Sequence, residues 1–400
     1  MSIALSQRAQ KMPSSPIRKL VGAAEARKKQ GIKVYHLNIG QPDIKTPEIF
    51  YERVREFNEN PVAYAPSQGI AKSIVAWQKY FHDTGIELGE KEIMITAGGS
   101  EALIFAMCIV ADPGDEVLAF EPFYTNYNSF GSVGGITVKA ATLSIDNGFH
   151  LPSDEEIEKG MTGKTKAIIF TNPSNPTGTV FNKAELQRVV NLAIKHNLFI
   201  IADETYREFS FTGEACFSLM NFPEVKDKVI LVDSASKRFN LCGARIGVIG
   251  SHNEEVMAAA FKFCMARLSV VTIEQEALIP ILENAKQYID PVVEEYRKRR
   301  DVIYEGLKKI PGAVFSKPEG AFYVICGLPV KNSEHFAKWL IEEYKYKGET
   351  VLLAPAPGFY ATPGKGQNEV RLAYVLNSED LQKALDIVKR ALEAYNAKNN

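Results

Sequence analysis

Net charge is what this chain of 400 residues has least of: 47 lysines and arginines stand against 48 aspartates and glutamates, a formal balance of −1. That balance gives no reason to expect nucleic acid or an anionic membrane as a partner. Cysteine is sparse, with Cys108, Cys216, Cys242, Cys264 and Cys326 making an odd number and no C-x-x-C pair. Reduced thiols in a cytoplasmic protein are expected, rather than a disulfide framework. The six histidines are scattered, with no H-E-x-x-H or similar spacing, so no metal site is expected. The longest apolar run, Leu103 to Ala111, falls well short of the about 20 residues a membrane helix needs. The opening "MSIALSQRAQKM" lacks the sustained apolar stretch of a secretory signal. No repeat of fixed period and no low-complexity segment is visible.

What is there is ordinary globular material, 46% apolar and 24% charged, in a length that suits two domains. A first helix is predicted over Ser15–Lys29. Ser15 can cap it, Pro16 suits its first turn, and Ile17, Leu20, Val21 and Ala24 share one face. From about residue 90 short apolar runs alternate with helical stretches. The runs are Ile93–Thr96, Val117–Phe120, Ala167–Phe170, Phe199–Ala202 and Val229–Val232. Such runs, spaced by helices, predict an α/β fold whose mostly parallel sheet is covered on both faces. Past residue 290 come long charged helices, then "GAFYVICGL" as a strand, then an amphipathic helix with Leu381, Ala384, Leu385, Val388 and Leu392 on one stripe. The expected division is a large domain over 47–290 and a smaller, discontinuous α+β domain from 1–46 and 291–400.

Ligands of open parallel sheets collect beyond the carboxyl ends of the strands, so the residues just past each run matter most. "TAGGSEAL" offers a tight turn at Gly98 and Gly99, with Ser100 opening a helix whose free N–H groups suit an anion. "EPFYTNY" places Tyr124 where its ring could stack on a flat ligand. "NPSNPTG" stiffens a loop around Asn175. "IIADETY" sets Asp203 at the end of a buried run, where a carboxylate needs a positive partner, with Tyr206 three residues on. In "VDSASKRFNLCGARIG", Lys237 can act as a nucleophile toward a carbonyl, and Arg245 can hold a dianion. Taken singly, each has a structural alternative: a capped turn, an aromatic corner, a stiff loop, a buried ion pair. Taken together they ask for one ligand with an aldehyde, a phosphate, a flat ring and a basic ring nitrogen. Pyridoxal 5'-phosphate has all four, and a lysine with an acidic partner for the ring nitrogen marks proteins that use it.

On "NPSNPTG", "ADETY" and "SASKRFNLCGARIG" the sequence resembles the fold-type I, class I/II aminotransferases, near the prokaryotic aspartate aminotransferase group, from about Leu37 onward. The resemblance implies a large domain with a mostly parallel seven-stranded sheet sandwiched by helices, a smaller α+β domain, and a homodimer with shared active sites. It implies that Lys237 joins the cofactor covalently and later moves the α-proton, and that Asp203 partners the ring nitrogen. Tyr206 and Asn175 would bond the ring hydroxyl. Ser100, Ser234 and Arg245 would hold the phosphate, with backbone N–H groups of Gly99 and Glu101. Tyr64, in "YAPSQG", would reach the partner subunit's phosphate. Arg371, in "VRLAY", would grip the substrate α-carboxylate, and Gly40, in "NIGQPD", would lie against the substrate. Tyr124 stands where many relatives have tryptophan, and Ala244 where "GWR" is usual. Ser100 stands where some aspartate-specific relatives carry a lysine for the distal carboxylate. Arg267, in "MARLSV", falls in a segment that relatives send into the neighbouring site, where it would bind that carboxylate; a surface or dimer-interface arginine is the alternative.

The activity so implied is amino transfer between an L-amino acid, aspartate first, and 2-oxoglutarate by a ping-pong route. Alanine, aromatic or other amino acids, or C–S elimination on the same fold, are the rivals. A regulator built on this fold usually adds a DNA-binding domain, for which 400 residues leave no room. A nicotinamide-binding enzyme is disfavoured because no G-x-G-x-x-G opens a βα unit. "TPGKGQ" lacks the hydroxyl residue a P-loop requires after Gly-Lys.

Overall fold

The computed structural model describes residues 3–13 and 15–399. After the helix Val21–Lys29 comes β1 (Lys33–His36). A large sheet follows from β2 (Ile93–Thr96), β3 (Glu116–Glu121), β4 (Thr137–Thr142), β5 (Thr165–Thr171), β6 (Phe199–Asp203), β7 (Val229–Ser234) and β8 (Gly247–Gly250). Its seven strands lie in the order β2-β8-β7-β6-β5-β3-β4. All neighbours pair in parallel except β8, which runs against both β2 and β7. The chain moves outward from β3 to β4, then returns to the other side of β3 for β5, β6 and β7. The reversal falls between β3 and β5, where α/β sheets open a ligand crevice.

The strands are buried on both faces with a period of two. Leu118, Phe120, Ile168, Phe170, Ile200, Ala202 and Leu231 join one core with Trp77, Phe81, Leu186 and Val190 from helices. Val117, Ala119, Ala167, Ile169, Ile201, Ile230 and Val232 join the opposite core with Leu103, Met107, Val256 and Ala260. This double burial is why these strands read as unbroken apolar runs. The runs missed β4, an edge strand with partly exposed residues (TVKAAT), and β8, only four residues long and bounded by glycines (GVIG).

The remaining strands are β9 (Tyr323–Gly327), β10 (Glu349–Leu352), β11 (Ala354–Pro355) and β12 (Glu369–Ala373). β11, β12 and β9 form an antiparallel sheet, and β1 pairs in parallel with β10. β1, β9, β10 and β12 share a core with the stripe Leu381, Ala384, Leu385, Val388 and Leu392 of the last helix, Ser378–Asn399. The helix Ala285–Leu307 runs without a break between the two regions: Ile289 packs in the large core, and Val292, Tyr296 and Ile303 in the small one.

The predicted first helix is two pieces, a 3-10 turn Pro16–Arg18 and the helix Val21–Lys29. The Ile17 carbonyl accepts a hydrogen bond from Asn38 Nδ2 at 3.0 Å, and Pro16 is pressed against Gly358, where an added Cβ would lie 2.4 Å from the proline ring. Those tertiary contacts hold the turn away from a continuous helical path. Among the described residues no helix is long and apolar enough to cross a membrane, and all five cysteines are free.

Candidate active site

A cavity of about 410 Å³ opens beyond the carboxyl ends of β2, β3, β5, β6 and β7. Its lining includes Gly40, Gly99, Ser100, Tyr124, Asn175, Asp203, Tyr206, Ser234, Lys237, Arg245 and Arg371. Three other candidates stand outside it. Tyr64 is 79% exposed. Glu101 folds back, its Oε2 accepting from Ala97 N at 2.8 Å. Arg267 is largely buried in its own chain, with Nη2 donating to Ser67 O and Ile95 O at 3.2 Å each, and Nε 3.6 Å from Glu101 Oε1.

Asp203 closes β6 and is almost fully buried. Its Oδ2 accepts from Tyr127 Oη at 2.6 Å, and its Oδ1 from Thr205 Oγ1 at 2.8 Å. Burial pushes the carboxyl up; the bonds from Tyr127 and Thr205 and the charge of Lys237 pull it back. A second cation on the cavity side would settle it as an anion. Above it the Tyr124 ring packs edge-on against Tyr127, with centroids 5.6 Å apart. Burial raises the Tyr124 phenol to about 12, so it stays neutral.

At one end of the cavity the first turn of the helix Gly99–Val110 meets Ser234 and Arg245. Arg245 holds a left-handed backbone (φ 56°), and its guanidinium donates to Cys242 O at 3.0 Å and Ala97 O at 3.1 Å. It lies so near Gly98 that a Cβ there would meet Nη2 at 2.5 Å. Gly98 itself has φ 79°, so the close approach and the turn both demand glycine. Helix N–H groups, serine hydroxyls and a guanidinium form a cradle suited to a phosphate.

At the other end Arg371, on β12, is 2% exposed. Its Nη1 donates to Asn175 Oδ1 at 3.1 Å and its Nη2 to Asn38 O at 2.5 Å. The guanidinium lies over the rings of Tyr323 and Phe359, at 4.5 and 5.0 Å. Among the described residues its Nε is buried with no acceptor. Burial pulls the group down from its ordinary value, and an incoming carboxylate would repay that cost.

Between the two ends, Lys237 lies on the short helix Ala235–Arg238 that follows β7. Its Nζ donates to Gly40 O at 2.9 Å, and Cys242 Sγ is 3.8 Å away. Tyr206 Oη and Tyr323 Oη are 2.8 Å apart. A Cβ on Gly40 would fall 1.7 Å from Tyr323 Oη. Gly40→Ala should therefore push Tyr323 off Tyr206 and destabilise the fold by about 1–3 kcal/mol. Denaturant midpoints check this, and Tyr323→Phe, which removes the nearest atom, should restore part of the loss.

Thr205, Ser236 and Cys242 also line the cavity. They lie inside the motif stretches, where position next to a candidate was the available signal. Tyr323 looked like a core strand residue, and Arg18 like the outer face of a capped helix.

The family model described as Aminotransferase class I and II matches residues 32–388. The chain belongs to the class I and II aminotransferases. The aspartate aminotransferase of Thermotoga maritima is 33% identical to this aminotransferase over 402 residues, covering 98% of this chain and 100% of that one. The aromatic-amino-acid aminotransferase 2 of Thermococcus litoralis is 31% identical over 405 residues, covering 98% and 99%. A solved structure of the aspartate aminotransferase from Thermus thermophilus with maleate superposes with a TM-score of 0.88 at 30% identity, covering 98% of this chain and 100% of that one. The family depends on pyridoxal phosphate. In this aminotransferase the cradle, the buried carboxylate of Asp203 and the amine of Lys237 line one cavity, so the residues present fit that cofactor.

Proposed function

We propose that the chain is a pyridoxal-phosphate-dependent aminotransferase that moves the amino group of L-aspartate to 2-oxoglutarate in two half-reactions. The observation that carries this reading is the placement of Lys237 and Asp203 in one cavity between an anion cradle and the buried Arg371. When bound, the cofactor supplies an aldehyde that takes up the amino group and a ring that spreads the negative charge left at the substrate Cα. The chain supplies the rest. Ser100, Ser234, Arg245 and the helix N–H groups of Gly99 and Glu101 would hold the phosphate. Asp203 would partner the ring nitrogen and favour its protonated form. Asn175 and Tyr206 would bond the ring hydroxyl, and Tyr124 would cover the ring. Arg371, fixed by Asn175 and Asn38, takes the α-carboxylate through a bidentate fork. Lys237 holds the proton in transit at Cα.

The reading includes a homodimer. Tyr64, exposed on the single chain, would reach the phosphate of the partner subunit's site. For Arg267 to enter that site it would have to leave Glu101 and two carbonyl oxygens.

Two measurements test the reading. Borohydride reduction of cofactor-loaded protein, followed by digestion and mass spectrometry, should place the cofactor on the Lys237 peptide. Aspartate, alanine, tyrosine and cysteine should then be supplied in turn, with and without 2-oxoglutarate. Oxaloacetate beyond one equivalent should form from aspartate only when the acceptor is present, with parallel double-reciprocal lines. Pyruvate and ammonia from cysteine without an acceptor would instead make the protein a C–S lyase.

A further inference from the structure

We propose that Arg18 reads the distal carboxylate of a dicarboxylic substrate, from the same chain that carries Lys237. This rests on the aminotransferase reading above and assigns the group that selects its substrate class. Arg18 lines the cavity, yet it was invisible as a site residue in the sequence. It belongs to the Pro16–Arg18 turn, at the cavity mouth, where its side chain is exposed.

The other cations of the cavity already have partners or tasks. Lys237 is the reacting amine and donates to Gly40 O. Arg245 is bound to two carbonyl oxygens beside the phosphate cradle. Arg371 is committed to Asn175 and Asn38, and its free Nε points to the α-carboxylate as its ligand. Arg267 lies outside the cavity against Glu101. Among the described residues the Arg18 guanidinium has no hydrogen-bond or ion-pair partner. One carboxylate among the described residues lines the cavity, Asp203, and it is already held by Tyr127 and Thr205. Of the described residues that line the cavity, Arg18 is the cation left without a partner, and a second substrate carboxylate can meet it.

The turn that presents Arg18 is held in place. Asn38, fully buried, ties it to the α-carboxylate site. Its side chain donates to Ile17 O at 3.0 Å, while its carbonyl accepts from Arg371 Nη2 at 2.5 Å. The Arg18 amide donates to Ser15 O at 3.2 Å, and Pro16 packs on Gly358. One residue thus couples the two guanidinium groups that a dicarboxylate would span. A long side chain on a fixed turn at the mouth can close onto a substrate without moving the buried end of the site.

The test compares selectivity and binding in Arg18→Gln, Arg18→Lys and Arg267→Ala. Stopped-flow half-reactions give kcat/KM for aspartate, glutamate and alanine, and calorimetry gives the Kd of maleate, a dicarboxylate with no amino group to react. Arg18→Gln should lower the aspartate-to-alanine ratio of kcat/KM by about ten- to hundredfold, the range of a hydrogen bond to a charged group, and weaken maleate similarly. Arg18→Lys should recover part of both, and Arg267→Ala should leave the ratio within about twofold. The proposal is overturned if Arg18→Gln lowers aspartate and alanine equally, if it changes neither, or if Arg267→Ala alone shifts the ratio. Wild-type protein that transaminates alanine but neither binds maleate nor turns over aspartate overturns it together with the aspartate assignment, and leaves pyridoxal-phosphate-dependent amino transfer standing. Protein that transaminates no amino acid overturns both.

Discussion

Lys237→Ala should reduce kcat by about 10⁴-fold or more while leaving substrate Kd within about tenfold. A positioned acid–base group contributes about 10² to 10⁴, and Lys237 is asked in addition to attach the cofactor. In the proposed reading ground-state binding has other sources: Arg371 with Asn175 and Asn38 at one end, the cradle around Arg245 at the other. None of these contacts runs through the Lys237 side chain, whose polar contacts are Gly40 O and Cys242 Sγ. The variant should therefore fold, with a denaturant midpoint near that of the wild type. Single-turnover absorbance with aspartate, read beside equilibrium binding of maleate, separates the two effects. A fall in affinity equal to the fall in rate would mean that Lys237 merely shapes the cavity, and the proposed mechanism would lose its central group.

How far the sequence went is set by which physical signals are local. β2, β3, β5, β6 and β7 were legible because both faces are covered, so nearly every residue in them is apolar. β4 carries the half-exposed Lys139 on an edge, and β8 holds only two apolar residues between its terminal glycines. The residues that follow each strand could be singled out because sheet topology forces them to one end of the molecule. Arg18 and Tyr323 reach the same cavity by another route. Arg18 sits on a turn held by Asn38 and Gly358, and Tyr323 on β9, which pairs with β12, and nothing within either segment marks that destination. Arg267 shows the opposite limit. Its acceptors, Ser67 O and Ile95 O, are backbone atoms far off in the chain, and no residue type announces a carbonyl oxygen in need of a donor.

The largest effect on stability should come from the residue after Lys237. Arg238 and Asp233 are both fully buried and paired through Nη2 and Oδ1. Arg238 Nη1 also donates to Tyr80 Oη, which in turn donates to Glu208. Asp233 Oδ1 further accepts from Ser234 N at 2.6 Å. The pair brackets Ser234 and Lys237, so it anchors both ends of the turn that presents them. Arg238→Met leaves the Asp233 carboxylate buried beside no hydrogen-bonding cation, and breaking such a pair costs about 3–5 kcal/mol. Removing the charge on both sides is a different matter, because the desolvation cost leaves with it. Asp233→Asn combined with Arg238→Met keeps an acceptor for Ser234 N and should be less destabilised than Arg238→Met alone. The pH dependence has a definite sign. Burial already pushes the Asp233 carboxyl up, against the pull of Arg238 and Arg207. Without Arg238 the folded state favours the protonated acid more strongly, so the folded form binds more protons than the unfolded one above the ordinary carboxylate range. Stability of Arg238→Met should then fall as pH rises from 5 to 8 relative to wild type, and the double variant should lack that slope. Denaturant midpoints across that range decide it. A double variant no more stable than Arg238→Met, or a single variant with no added pH dependence, would show that the loss comes from packing of the arginine stem and not from a stranded charge.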